Sequence, residues 1–213
     1  MTDLGRLLDE DRAEDRSLVA GAPGYAALRE RDARRRDEVS AILAADRELT
    51  AEQRFAAAWI LNHGDVAEEA EAAHRLAKHA AEQGFEPARW LAAATLDRSL
   101  MYAGRPQKYG TNIVPDGVGY RLWDLEPATT DAERAAWNVP PRAEMERRAE
   151  ELSRSAPQPD LSHAPDWLQH AIERWRSNLP PQGESGAPSR KGRVADGGSP
   201  GAVCKRGKRW PNA

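Results

Sequence analysis

The chain has 213 residues, a single Cys, and 31 basic against 34 acidic side chains, for a net charge of −3. That length suits one domain with extensions, the lone Cys204 excludes an internal disulfide, and no run nears the roughly 18 apolar residues of a membrane span. Hydrophobic residues make up 40% of the chain, but 38 of them are Ala, while Leu, Ile, Val and Phe together number only 32. The core is therefore expected to be small, Ala-rich and helical, with seven Trp supplying bulk. The acidic start MTDLGRLLDEDRAEDR lacks the apolar run of a secretory signal, which points to a reducing, cytoplasmic setting. The excess of Ala, and of 26 Arg over five Lys, is that of a GC-rich bacterial coding sequence.

Residues 3–19 read as a first helix on Leu4, Leu7, Leu8 and Leu18, and residues 24–46 as a second on Tyr25, Leu28, Val39, Ile42 and Leu43. The middle of the second, RERDARRRDE, balances five Arg against four acids and reads as a solvated face laced with i, i+4 pairs. Three helices follow, each opened by a cap and closed at a glycine. Thr50 with Gln53 forms a capping box, and Phe55, Trp59 and Ile60 make a stripe before Gly64 takes a left-handed C′ position. Asp65 with Glu68 restarts the chain in an Ala-lined helix that stops at Gly84, and Pro87 opens a third helix that runs to Gly104. PQKYGTNIV and VGYRLWDLEP then flank a Pro-Asp-Gly turn, predicting a β-hairpin at about 106–125. Two shorter helices are expected near 131–137 and at 141–154. Beyond the linker SAPQPD, Pro165 starts an amphipathic helix with Trp167, Leu168, Ala171, Ile172 and Trp175 on one face, and the apolar pattern ends near Arg176. The last 37 residues hold seven Gly, five Pro and seven basic against two acidic residues, the composition of a disordered tail. Aromatic interleaving there is limited to Trp210, so nucleic acid is not a favoured partner.

The fold class is thus mainly α: an Ala-rich helical bundle with one β-hairpin and a disordered C-terminal tail. The chain divides into an N-terminal helical hairpin packing on the core (1–48), a helical core with the β-hairpin (49–155), a linker with a docking helix (156–176) and the basic tail (177–213).

Polar residues inside an apolar stripe mark the candidate site. Trp90, Ala94, Asp97 and Met101 recur at helical spacing, so Asp97 and its neighbour Arg98 fall on or beside the buried face and need partners. Short connections make the first and third helices of the trio parallel, which brings the Asn-His-Gly-Asp junction to the end that carries Arg98, Tyr102 and the loop 104–111. The free amides opening the second helix lie at that same end and suit an anion. Arg98 is expected to pair with Asp65, or with Asp97. His63, near a helix C-terminus and a carboxylate, is expected to titrate above its ordinary value.

The runs AAWILNHGD and LDRSLMYAGRPQKYGTN, followed by the Asp-Gly turn, resemble the uncharacterised bacterial family known as domain of unknown function 6624. In that family a helix ends in a Gln-His-Ala-Asp-like junction, a later helix carries Thr-Asp-Arg, and Gly-x-Pro-Gln-x-Tyr-Gly-Thr-Gln opens a β-segment. The matching positions here are His63, Asp65, Asp97, Arg98, Gly104, Gln107, Tyr109, Gly110 and Thr111, over about residues 52–155. Asn62, Gly64, Leu96 and Asn112 depart from the pattern, as does the absence of an upstream Gly-Trp-Pro element. The resemblance brings no established activity.

Three readings follow from these residues. The first is a structural module, or one binding a small anionic ligand through Asp65, Arg98, Gln107, Tyr109 and Thr111. The second is a metal-independent enzyme, hydrolase- or transferase-like, in which His63 is the general acid or base and Asp65 or Asp97 orients it. The third is a protein-interaction module acting through residues 160–176. No cofactor is implied. His74 and His79 are five apart and point to different helix faces, so no metal site is expected either.

Overall fold

A computed structural model describes residues 3–45 and 48–177. Within them the chain is mainly helical: α1 (Asp3–Ala13), α2 (Tyr25–Ala44), α3 (Ala51–Leu61), α4 (Ala67–Glu82), α5 (Ala88–Tyr102), β1 (Ile113–Pro115), β2 (Tyr120–Leu122), α6 (Asp131–Ala136), α7 (Arg142–Ser155) and α8 (Asp166–Arg176). The expected tail, 177–213, lies outside the described residues apart from Ser177.

The capping box of α3 is present, with the Gln53 amide donating to Thr50 Oγ1 at 3.2 Å and the Thr50 amide donating to Gln53 Oε1 at 2.9 Å. Gly84 and Gly104 take the left-handed conformation at the ends of α4 and α5, with φ of 86° and 71°. Gly64 does not. Its missing side chain serves a close approach instead, since a Cβ there would stand 2.7 Å from Cβ of Glu69. The expected Asp65 start of α4 is also replaced: Val66 is the N-cap of α4 without a side-chain cap, and Glu69 Oε2 reaches back to accept from the Asp65 amide at 2.9 Å. Helix α1 stops at Ala13, six residues short of the expected end. Asp15 Oδ1 accepts from the Ser17 amide at 2.9 Å, a local turn that competes with helix continuation.

One core joins α1 to α5. Leu4, Leu7 and Val39 pack with Phe55, Ile60 and Leu91, and α4 presents Ala70, Ala73, Ala77 and Ala80, all buried, which lets its neighbours approach closely. The β-hairpin is shorter than the span 106–125, with register Ile113↔Leu122, Val114↔Arg121 and Pro115↔Tyr120. Its faces bury differently. Val114 and Trp123 join Met101 and the α8 residues Leu168, Ala171 and Ile172, while Ile113, Tyr120 and Leu122 pack on Met145, Ala149 and Leu152 of α7. The hairpin is thereby held between α7 on one side and α5 with α8 on the other. Helix α8 docks on its own fold.

Candidate functional site

Helices α1 and α2 close over the α3–α4 junction with charge. The run 29–38, expected as a solvated face, instead buries Asp32 and Arg35, which are 1% and 5% exposed. Leu28, Asp32, Arg35 and Val39 form the inward stripe of α2, so these charges lie where apolar residues would. Asp32 accepts from Arg16 at 2.8 Å, Arg29 at 3.0 Å and Arg35 at 2.5 Å. Asp11 of α1, also buried, pairs with Arg16 and accepts from Trp59 Nε1 at 2.9 Å. Glu14 binds both Arg31 and Arg35, and the Arg31 guanidinium in particular holds its carboxyl down at about 2.

His63 meets Asp11, not Asp65 or Asp97. Its Nε2 lies 3.2 Å from Asp11 Oδ2, but without hydrogen-bond alignment, and the nitrogen has no other partner among the described residues. Burial lowers the His63 pKa below its ordinary value despite that carboxylate, so the expected upward shift is reversed. Asp65 does not cap α4. It pairs with Arg29 and, at 3.4 Å, with Arg36, and both arginines also donate to the His63 carbonyl. Arg36 completes the clamp on Glu69 at 2.8 Å.

Asp97, fully buried, turns the other way. Its Oδ1 accepts from the amides of Lys108 at 2.7 Å and Tyr109 at 2.9 Å, and its Oδ2 from the amide and hydroxyl of Thr111 at 3.0 and 2.8 Å. Burial pushes its carboxyl above the ordinary range against the pull of these four donors. Gln107, also fully buried, ties the loop to the hairpin: its Nε2 donates to the carbonyls of Asn112 and Trp123, and its Oε1 accepts from the Asn112 amide. The Tyr109 carbonyl accepts from buried Arg134 of α6 at 3.0 Å. The motif run from Gln107 to Thr111 is spent on holding its own backbone.

Arg98 lies between these two networks. It is 7% exposed, no ion pair engages it among the described residues, and its Nε is enclosed without a partner. Neither expected carboxylate is free for it, because Asp65 is taken by Arg29 and Arg36, and Asp97 by the loop. Its guanidinium stands beside the Tyr102 hydroxyl, which donates to the Gly64 carbonyl at 2.9 Å. The Tyr102 ring packs against Trp167, with centroids 5.3 Å apart, and the indole N–H of Trp167 is likewise enclosed without a partner. Two buried donors without acceptors thus sit on side chains that both touch Tyr102.

The sequence pattern brought Arg98 and Tyr102 to the junction but did not anticipate Arg29, Arg36 or Trp167 beside them. The signal for Arg29 and Arg36 was available in the spacing of Asp32 and Arg35 between Leu28 and Val39. An open groove of about 340 Å³ between β2 and α7, lined by Tyr120, Leu122, Ala149 and Ser153 among others, contains none of the candidate residues. Among the described residues no group of three or more His, Cys, Asp or Glu is placed to hold a metal ion, and no helix is long and apolar enough to cross a membrane. No family model matches this chain, and no curated protein or solved structure matches it either.

Proposed function

We propose that the chain is a helical module that binds a small anion, with Arg98 as the anchoring cation and Tyr102 as its neighbour. The observation that carries this reading is an arginine only 7% exposed, its Nε enclosed without a partner, with no carboxylate paired to it among the described residues. A buried charge without a counter-charge costs several kcal/mol, and an anionic ligand removes that cost. His63 and Asp65 then anchor the N-terminal helices, and Asp97, Gln107, Tyr109 and Thr111 hold the loop beside the site. The matching runs around His63, Asp97 and Gln107 support kinship with the 6624-type family, the single Cys supports a reducing, cytoplasmic location, and the excess of Ala and Arg supports a bacterial source.

The test is calorimetry on the full chain with inorganic phosphate and with acetate, repeated on Arg98→Met. Saturable binding of at least one anion, lost in the variant, is expected. The variant should fold at least as stably as the parent, because it removes an unpaired buried charge and orphans no carboxylate. Absence of saturable binding, or a loss of about 3–5 kcal/mol in the variant, the size expected when a buried ion pair is broken, would overturn the reading.

A further inference from the structure

The anion-binding reading leaves open which anion the site takes, and the charges around Tyr102 restrict the choice. The Tyr102 hydroxyl feels Arg98, Asp65 and Arg29. Arg29 is committed to Asp65, to Asp32 and to the His63 carbonyl, and Arg36 bridges Asp65 and Glu69. Among the described residues around Tyr102, one positive charge, that of Arg98, is left without a counter-ion. A monoanion balances it. A phosphate dianion would bring a surplus negative charge close to Asp65 in surroundings of low polarity, where such a surplus is expensive.

The donors fit the same choice. A guanidinium edge is a planar fork that matches the two oxygens of a carboxylate. The hydroxyl proton of Tyr102 is already given to Gly64, so that side chain offers its ring more than a hydrogen bond. The neighbouring side chains are aromatic: Trp167 lies against Tyr102, and Trp123 stands edge-on to Trp167 with centroids 5.6 Å apart. The unpartnered indole N–H of Trp167 is a neutral donor, which orients a ligand without adding a second positive charge.

We infer that the ligand class is a monocarboxylate with an apolar or aromatic body, its carboxylate held by Arg98 and its body against Tyr102 and Trp167; this rests on the anion-binding reading above. The experiment is nitrogen-15 nuclear magnetic resonance of the full chain titrated with acetate, benzoate, inorganic phosphate and sulfate at neutral pH. A Trp167→Phe variant assigns the indole signal. Benzoate is expected to shift the Trp167 indole N–H and the amides of residues 63–65 and 98–102 saturably, acetate more weakly, and phosphate about tenfold more weakly than benzoate or worse. Arg98→Lys, which keeps the charge but loses the fork, should retain weakened binding, and Arg98→Met should abolish it. Phosphate or sulfate binding as tightly as benzoate, with the same dependence on Arg98, would overturn the carboxylate class and leave the anion reading standing. Saturable shifts with none of the four probes, or shifts unchanged in Arg98→Met, would remove both.

Discussion

Asp97 gathers four donors on one carboxylate, and the backbone from Lys108 to Thr111 hangs on it. Asp97→Asn replaces one acceptor oxygen with an amide nitrogen that faces N–H groups. Leaving buried donors unmatched costs about 1–3 kcal/mol each, so the variant should lose about 2–4 kcal/mol in chemical denaturation; a loss within the ±0.5 kcal/mol typical of surface changes would show that the loop is held by other contacts. His63 offers a second test at this scale. Burial disfavours its charged form, and the ring should titrate below 6.5 when followed by nuclear magnetic resonance. A value above 6.5 would mean that Asp11 outweighs burial.

Helix α8 carries its apolar face onto the hairpin and α5. Leu168 is fully buried there, so Leu168→Ala should cost about 2–5 kcal/mol, read as a shift of the denaturation midpoint at constant slope. A loss under about 0.5 kcal/mol would mean that the helix dissociates readily and is free for a partner. This docking was legible because Trp167, Leu168, Ala171 and Ile172 share one face at helical spacing. The capping box of α3 was legible for a similar reason, its chemistry being contained in four consecutive residues. The fate of α2 is less legible, although the spacing that singles out Asp97 applies to it as well: Asp32 and Arg35 occupy stripe positions between Leu28 and Val39. Density of charge disguised them. In a run of nine ionisable residues among ten, the two that turn inward are chosen by where α1 and the 63–69 junction sit, and that is tertiary information. The early stop of α1 has a local cause in the Asp15–Ser17 turn, whereas the conformation of Gly64 depends on Glu69 folding back over it.

Across the whole molecule, the seam between the N-terminal helices and the core sets the response to acid. Asp11, Glu14 and Asp32 all bind a proton less readily folded than unfolded; burial alone would raise Asp11 and Asp32, but His63 and then Arg16 beside Asp11, and Arg16 foremost beside Asp32, outweigh it. Each therefore contributes stability that is present above its unfolded value and is withdrawn as the pH falls, for Glu14 down to about 2. His63 acts in the same direction at higher pH, as does His74, which burial also holds below its ordinary value. The folded value of each is depressed, so its contribution is whole above 6.5 and shrinks as the pH drops below that. Asp97 alone opposes them, with a raised carboxyl. The thermal midpoint, followed by circular dichroism, should decline first below about pH 6.5 and more steeply below about pH 4.5. His63→Asn should lessen the first decline, the remainder belonging to His74, and leave the second. A midpoint that is level down to about pH 4 in the parent would contradict the assignment of His63.

The same seam decides where the chain could be shortened or exchanged. A fragment that begins after α2 would keep His63, Asp65 and Glu69 but lose Asp11, Asp32, Arg29 and Arg36, and it would bare Phe55, Ile60 and the Ala face of α3. A fragment comprising only α1 and α2 would part Arg29 and Arg36 from Asp65 and Glu69 and leave Leu4, Leu7 and Val39 uncovered. Neither piece is a self-sufficient cargo for recombination. The junction near residue 48 resembles a domain boundary in sequence, but in inheritance the N-terminal helices and the bundle must travel together.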